Sequence, residues 1–274
     1  MIQVRRTTAA DVGGARAAAA LDSVFREYLV PISFDGPAYA IHVAANDIDL
    51  AASPIWYDDD ETVVAAAVLG VRDPHGWIGG FGVAPAHRKR GLGHALLAEV
   101  LERAWSLGLG SVTLEVLAEN AAARRTYEAG GFTPARRLIA FGAEATSLQG
   151  RGGAPYADAA PLLDAPDETP PCWQREAASL HRQPSLHAVG DARAFCVFRH
   201  DGQRAQLLKV RADSAEQFAG LAASVVAQTA VVRLELFNEP ATSATAAAAR
   251  TLGWKPIHEL DEMRLARPLV ASFP

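Results

Sequence analysis

Residues 77–94 read WIGGFGVAPAHRKRGLGH, a glycine-rich apolar segment followed by a basic turn. Glycine inside a strand pattern is typical of a position that another backbone approaches closely. The turn at 88–93 leads into a segment whose apolar residues recur at helical spacing. Glycines at a helix start leave backbone amides free to face an anion, and the helix dipole adds positive charge there. The segment therefore predicts a strand, an anion-binding turn and a helix.

The sequence on both sides of this segment alternates between strand and helix patterns. Before it lie strand patterns at 2–5, 54–57 and 62–71, a helix from 11 to about 20, and a helical or irregular stretch up to Asn46. After it lie a helix that ends at Gly108, a strand at 112–117, a helix at 121–129 and a strand at 137–141. This alternation predicts an α/β fold.

The sequence loses this alternation at residues 143–173, which are rich in glycine, alanine, proline and aspartate. Its two most irregular parts, 150–153 and 167–171, have the composition of a linker, with room for one short helix between them. The predicted organisation is a first domain at 1–142, a linker at 143–173 and a second domain at 174–274.

The second domain repeats the order of elements of the first. Its patterns predict strands at 194–199 and 205–211, a helix at 214–227, a strand at 231–237, a helix at 241–252 and a strand at 257–265. Leu114-Glu115-Val116 and Gly131-Phe132 in the first domain correspond to Leu234-Glu235-Leu236 and Gly253-Trp254 in the second. Two correspondences that flank the same helix indicate an internal repeat.

Length and composition exclude several classes of protein. A chain of 274 residues with 50% apolar and 21% charged residues is globular and large enough for one or two domains. Its longest apolar run is too short to span a bilayer, and residues 1–6 lack a secretory signal, so we expect a cytoplasmic protein without a membrane partner. A net charge of −5 disfavours a nucleic-acid partner. Cys172 and Cys196 predict neither a disulfide framework nor a metal site.

Two nucleotide-binding motifs fit the glycine turn poorly. A P-loop needs Gly-Lys-Ser/Thr, which is absent. The dinucleotide fingerprint of an oxidoreductase needs a third small residue where this chain has Leu96, although Glu115 lies at a suitable distance for a ribose contact. The turn taken alone is also compatible with an ordinary helix start.

The order of the motifs resembles the GNAT superfamily of N-acetyltransferases. It consists of a strand, Arg88-x-x-Gly91-x-Gly93, a helix, a strand with Leu-Glu-Val, then Asn120, Tyr127 and Gly131-Phe132. The resemblance covers residues 1–142 and implies a mixed sheet flanked by helices, followed by a smaller, degenerate GNAT-like lobe. It also implies acetyl-CoA as the cosubstrate, held by Phe81, Gly82, Val83, Arg88, Lys89, Arg90, Gly91, Leu92, Gly93, His94 and Asn120.

Acetyl transfer to an amine requires a base for the amine proton and favours an acid for the departing thiolate, whose parent thiol has a pKa of about 8.5. By resemblance, Tyr127 is the general acid, although a tyrosine within a helix is also a common core residue. Glu115 resembles the general base of ribosomal-protein alanine acetyltransferases. It also fits a strand carboxylate satisfied by its neighbours, and a water chain stays open as the route for the proton.

The second lobe lacks these groups. Ser214-Ala215-Glu216-Gln217 stands where the glycine turn would recur, and alanines occupy 246–249 where the tyrosine would recur. Glu235 is therefore interpreted as structural, and the lobe as half of an internal pseudo-dimer in a monomer or homodimer. The acceptor is expected to be a small-molecule or peptide amine. His42, Asp47 and Asp49 lie in the segment that lines the acceptor side in relatives, where acidic groups would suit a cationic amine, but a surface or capping role is the favoured interpretation of each. A sensor that binds acyl-CoA without turnover is the alternative function.

Overall fold

The computed structural model describes residues 3–30, 32–148 and 153–268 and divides them into two compact units. Unit 1 consists of the described residues up to Ala135 together with those from Glu262 onward. Unit 2 is the stretch Arg136–Asp261, which is inserted into the sequence of unit 1. Among the described residues, no helix combines the length and the apolar character that a membrane span needs.

The described chain contains both strands and helices throughout its length. The strands are β1 (Arg5–Thr8), β2 (Ile48–Asp49), β3 (Pro54–Tyr57), β4 (Val63–Arg72), β5 (His75–Val83), β6 (Ser111–Leu117), β7 (Thr133–Glu144), β8 (Tyr156–Ala157), β9 (His187–Gly190), β10 (Phe195–His200), β11 (Arg204–Arg211), β12 (Arg233–Pro240) and β13 (Lys255–Ala266). The helices are α1 (Ala9–Val12), α2 (Gly14–Phe25), α3 (Gly36–Ala45), α4 (Leu92–Ser106), α5 (Ala121–Ala129), α6 (Ala160–Leu163), α7 (Ala177–Leu180), α8 (Ala215–Thr229) and α9 (Ala244–Thr251). The α/β class predicted from the sequence is confirmed.

The sheet of unit 1 has the strand order β1-β3-β4-β5-β6, and β2 pairs with β4. β4 and β5 pair antiparallel, whereas β5 and β6 pair parallel. The last part of β13 continues this sheet beside β6, and Met263 contributes a fully buried side chain to the core of the unit. Helix α4 covers one face with the apolar stripe predicted from its spacing, including Leu96, Leu97 and Val100.

The sheet of unit 2 has the order β7-β12-β11-β10-β9-β8. β10 and β11 pair antiparallel, and β11 and β12 pair parallel, as β4, β5 and β6 do in unit 1. Helices α8 and α9 follow β11 and β12 as α4 and α5 follow β5 and β6. The order of elements thus recurs as the internal repeat predicts. Cys172 and Cys196 are both buried, free thiols.

Most predicted elements lie at or near their expected bounds, and β3 and α5 coincide with them. The predicted strand 2–5 begins outside the described residues, and β1 spans Arg5–Thr8, ending where the Thr8 side chain caps α1. The two compact units do not coincide with the predicted ranges 1–142, 143–173 and 174–274. The difference arises because β7 pairs with β12 in unit 2, while the predicted linker contributes β8 and α6 to that unit.

Candidate active site

Strands β5 and β6 part halfway along their length. Their paired residues begin with His75 and Ser111 and end with Ile78 and Leu114, so both strands continue past the last pair. A β-bulge at the same level places Gly79 as an extra residue against β4. A Cβ atom on Gly79 would lie 2.0 Å from the Trp77 ring, so only glycine fits this position. The unpaired edges of the two strands open a gap beyond Ile78.

The turn after β5 leads to a helix start that no side chain closes. Gly91 precedes α4 in the left-handed conformation, with φ of 77°, and Lys89 also has a positive φ of 61°. No side chain caps the first amides of α4, which an α-helix leaves without internal partners. Lys89 and Arg90 are exposed and form no ion pair with any residue in the described part of the chain. The start of α4 thus offers free backbone amides next to two positively charged side chains.

A cleft of about 820 Å³ runs from the end of β5 to the starts of α4 and α5. Ten of the eleven residues predicted to hold the cosubstrate line it, namely Phe81, Gly82, Val83, Arg88, Lys89, Gly91, Leu92, Gly93, His94 and Asn120. Arg90 is exposed on the turn and does not line the cleft. The predicted catalytic pair, Tyr127 and Glu115, lies outside its lining residues.

Arg88 is occupied by contacts within the protein. Its Nε donates to the carbonyl oxygen of Val83 at 3.1 Å, and its other nitrogens reach the Glu27 carboxylate and the Val24 carbonyl oxygen. Beside it, a Cβ on Gly82 would lie 3.0 Å from the Val24 side chain, so the strand and α2 pack closely. Arg88 therefore joins the end of β5 to α2, while Lys89 and Arg90 carry the unpaired charge.

One wall of the cleft was not predicted from the sequence. It comes from α2 and the turn after it, including Phe25 and Tyr28, whose rings meet edge to face at 5.1 Å. Burial raises the pKa of Tyr28, and a hydrogen bond with the Asn120 side chain opposes the rise. Asn120 also caps α5 by accepting from the amide of Ala123 at 3.1 Å. The only sequence signal for this wall is an aromatic pair three residues apart.

Tyr127 is buried beside the cleft. Its ring packs edge to face against Phe81, which lines the cleft, at 5.5 Å between centroids, and against Phe132 at 6.0 Å. Burial raises the pKa of the Tyr127 hydroxyl, and the neighbouring Tyr28 raises it further. The hydroxyl is therefore protonated at neutral pH, and it has a proton to donate. Within the described part of the chain, no group is hydrogen-bonded to it.

Glu115 is the first residue of β6 beyond the last pair with β5. Leu114 and Val116 point into the core, so Glu115 projects from the opposite face, as alternation predicts. Its Oε2 accepts a hydrogen bond from the indole nitrogen of Trp77 at 2.6 Å. The Trp77 ring in turn packs against His42 of α3 at 6.0 Å between centroids.

The three residues predicted near the acceptor have different environments. Asp47 forms an ion pair with Arg72 at 2.7 Å, and Asp49 accepts the amides of Ala51 and Ala52 at 2.9 Å each. Both aspartates therefore stabilise local structure, as capping or surface residues do. Burial lowers the pKa of His42 to about 4, so its imidazole is neutral at physiological pH.

The corresponding region of unit 2 is closed by its own residues. The last described pair of β11 and β12 is Leu207 with Leu236, and beyond it Arg175 donates to carbonyl oxygens of both strands, at Leu208 and Asn238. The helix start is closed as well, because the Ser214 hydroxyl accepts the amide of Gln217 at 3.1 Å. Groups of the protein thus take the positions that stay open in unit 1.

Glu235 in unit 2 corresponds to Glu115 in unit 1. It lies 3.5 Å from Arg204 and 3.5 Å from Arg233. These ion pairs agree with the structural role that the sequence predicts for it.

Comparison with known proteins agrees with this geometry. The sequence model of the acetyltransferase (GNAT) family matches residues 20–132. A tandem GNAT protein from the clavulanic acid biosynthesis pathway is 16% identical, with a TM-score of 0.67 over 97% of this chain and 99% of that chain. A GCN5-related N-acetyltransferase from Sphaerobacter thermophilus is 18% identical, with a TM-score of 0.64 over 97% and 96% of the two chains.

A GCN5-related N-acetyltransferase from Kribbella flavida is also 18% identical, with a TM-score of 0.60 over 97% of this chain and 71% of that chain. No curated protein gives a significant sequence match. At these identities, the structural similarity shows a shared fold. The match to the family model is independent of that similarity, and it includes the residues that line the cleft. The chain therefore has the fold of tandem GNAT proteins, and its residues 20–132 match the sequence model of the acetyltransferase (GNAT) family.

Proposed function

We propose that unit 1 is an N-acetyltransferase that moves an acetyl group from acetyl-CoA to a primary amine. One observation carries the proposal: a single cleft joins the unpaired edge of β5 to the uncapped start of α4. An extended arm with amide groups can pair with a free strand edge, and a diphosphate can accept hydrogen bonds from free helix amides. Acetyl-CoA contains both groups, and the cleft volume is within the usual range for ligand sites.

The residues for each part of acetyl-CoA follow from their positions. The backbone of Phe81, Gly82 and Val83 offers the strand edge for the pantetheine arm. The amides from Gly91 to His94 face the diphosphate, with Lys89 and Arg90 supplying charge. Arg88 supports the strand end through its contact with Val83 and contributes less to binding.

Tyr127 is the proposed general acid. Acetyl-CoA supplies the acetyl group as a thioester, and negative charge develops on its sulfur as the amine is acylated. A hydroxyl with a raised pKa stays protonated, so Tyr127 is always ready to donate to that sulfur. The same raised pKa makes complete loss of the proton costly. We therefore expect Tyr127 to stabilise the departing thiolate mainly through a short, charge-assisted hydrogen bond.

Glu115 is the proposed general base, with a water chain as the alternative. Its carboxylate lies where β5 and β6 part, on the strand before the helix that carries Tyr127. An amine reaches the protein as an ammonium and must lose a proton before it can attack. The acceptor is a small-molecule or peptide amine, and unit 2 is the degenerate half of an internal pseudo-dimer that takes no part in the chemistry.

A panel of amines tests this function. CoA release is followed by a thiol assay with acetyl-CoA and polyamines, amino sugars, amino acids or short peptides. We expect release above the rate of spontaneous hydrolysis with at least one amine, together with an acetylated product seen by mass spectrometry. Tight binding of acetyl-CoA without turnover on a broad panel would instead identify a sensor of acyl-CoA.

A further inference from the structure

Two tryptophans of unit 1 donate their indole protons to glutamate side chains. Trp77 in β5 donates to Glu115 at 2.6 Å, and Trp56 in β3 donates to Glu99 of α4 at 3.0 Å. Both rings are almost completely buried. The second carboxylate is also held by Arg103 at 2.7 Å, away from the parted strands. The first pair lies at the point where β5 and β6 separate.

We propose that Trp77 is the positioning residue that holds the Glu115 carboxylate ready to take the acceptor's proton. This inference rests on the proposed function of unit 1. The indole is donor-only, so its hydrogen bond with Glu115 requires a carboxylate oxygen that can accept. The ring itself is fixed, because Gly79 leaves room for it on one side and His42 packs against it on another. Sequence alone did not indicate this role.

The hydrogen bond favours the charged carboxylate over the neutral acid. In the reaction, one proton moves from the nitrogen of the acceptor ammonium to a carboxylate oxygen of Glu115, and the nitrogen keeps the electron pair with which it attacks. Loss of the Trp77 donor makes ionisation of Glu115 less favourable. The pH at which the enzyme gains activity should therefore rise.

The elements around Glu115 carry several other titratable groups. His42 of α3 is neutral in the range of interest, because burial lowers its pKa to about 4. On β13, alternation with the core residue Met263 places Glu262 and Arg264 on the same face of the sheet as Glu115. His75 of β5 is engaged with the Ser111 hydroxyl at 2.9 Å. None of these groups is removed in the experiment below.

The test compares Trp77→Phe with the matched variant Trp56→Phe in the full chain. For Trp77→Phe we expect the acidic limb of kcat/KM to move up by at least about half a pH unit and kcat to fall about tenfold. The affinity for acetyl-CoA, measured by calorimetry, should stay unchanged. Trp56→Phe should lower the melting temperature and leave the acidic limb in place. An unmoved limb in folded, active Trp77→Phe would overturn the proposal.

A measurement on the unmodified protein does not depend on how the variants fold. In protein labelled with ¹⁵N-tryptophan, the Trp77 indole resonance is identified by its change in Glu115→Gln. The chemical shift of this resonance should change with pH, and the midpoint of the change should match that of the acidic limb of kcat/KM. A resonance that does not titrate would also overturn the role of Trp77. Absence of turnover with every amine would instead contradict the proposed function on which this role rests.

Discussion

Gly91 and Ser214 are the N-cap residues of corresponding helices, but only Ser214 caps its helix with a side chain. Each helix has 15 residues and follows the strand that pairs parallel with the next one. Gly91 has no side chain and a left-handed backbone, so the amides of α4 stay available. Ser214 is extended, and its hydroxyl occupies an amide of α8. One residue at each helix start thus separates a possible anion site from a closed helix end.

Acetyl-CoA should raise the melting temperature, and NADH should not. A ligand present at a hundred times its Kd stabilises the native state by about 2.7 kcal/mol. Gly91→Val should abolish this shift because its side chain would enter the space proposed for the diphosphate. Gly108→Val is the matched control, since Gly108 also has a positive φ of 85° and a Cβ atom there would meet no described atom within 4 Å. Scanning fluorimetry measures all three proteins, and an acetyl-CoA shift retained by Gly91→Val would place the cosubstrate elsewhere.

The intact chain should bind one acetyl-CoA. Unit 2 lacks a free helix start, and Arg175 already occupies the gap between its parted strands. Titration calorimetry on the full chain gives the stoichiometry directly. A value near two would contradict the degenerate state of the second lobe.

Tyr127→Phe should reduce turnover by about ten- to a thousandfold and leave acetyl-CoA binding nearly unchanged. The change removes only the hydroxyl, while the ring contacts with Phe81 and Phe132 remain. Tyr39→Phe is the control, because it removes another buried hydroxyl that has no partner among the described residues. Steady-state rates and calorimetry separate the two effects. Wild-type turnover in Tyr127→Phe would restrict this residue to core packing.

Glu115→Gln should lower kcat/KM and remove its acidic limb, because the amide cannot accept the ammonium proton. Glu99→Gln offers the comparison, since Glu99 also accepts an indole hydrogen bond but lies outside the proposed site. Rates are measured from pH 5 to 9 with saturating acetyl-CoA. If the acidic limb persists in Glu115→Gln, a water chain carries the proton.

His42 should make the folded state less stable as the pH falls from 7 to 5. Its pKa is about 4 in the folded protein, against about 6.5 in the unfolded chain, so only the unfolded chain gains a proton in this window. The expected loss of unfolding free energy is about 2 kcal/mol. His42→Phe keeps a ring beside Phe34 and Trp77 and should remove this part of the loss. Urea titrations at both pH values measure it, with exposed His94→Phe as control, and an equal loss in His42→Phe would contradict it.

Local patterns predicted the elements of this chain well. The bounds of β3 and α5 follow from turn residues and a capping asparagine at their ends, which are signals within a few residues. The glycine turn likewise predicted a helix start with free amides, and no side chain caps α4. Alternation placed Glu115 on the face opposite Leu114 and Val116.

These local patterns could not predict which strands and side chains that are distant in the sequence lie side by side. The period of a strand shows which residues share a face and gives no information on which strand lies beside it. The placement of Tyr28 in the cleft and the bond from Trp77 to Glu115 depend on such packing. The same reason explains why the linker composition suggested a boundary that differs from the division into compact units.

Strand β13 has a consequence for how the protein is made. Its last part, from Glu262, lies beside β6 in unit 1, although 126 residues of unit 2 separate it from Ala135 in the sequence. At about 5–20 residues per second, a ribosome needs on the order of 6–25 seconds to cross that interval. During this time β6, the strand of Glu115, has an open edge at which a nascent chain can aggregate. A chain interrupted between residues 150 and 171 keeps every residue of the cleft and still lacks this strand, so unit 1 has its full sheet only after unit 2 has been synthesised.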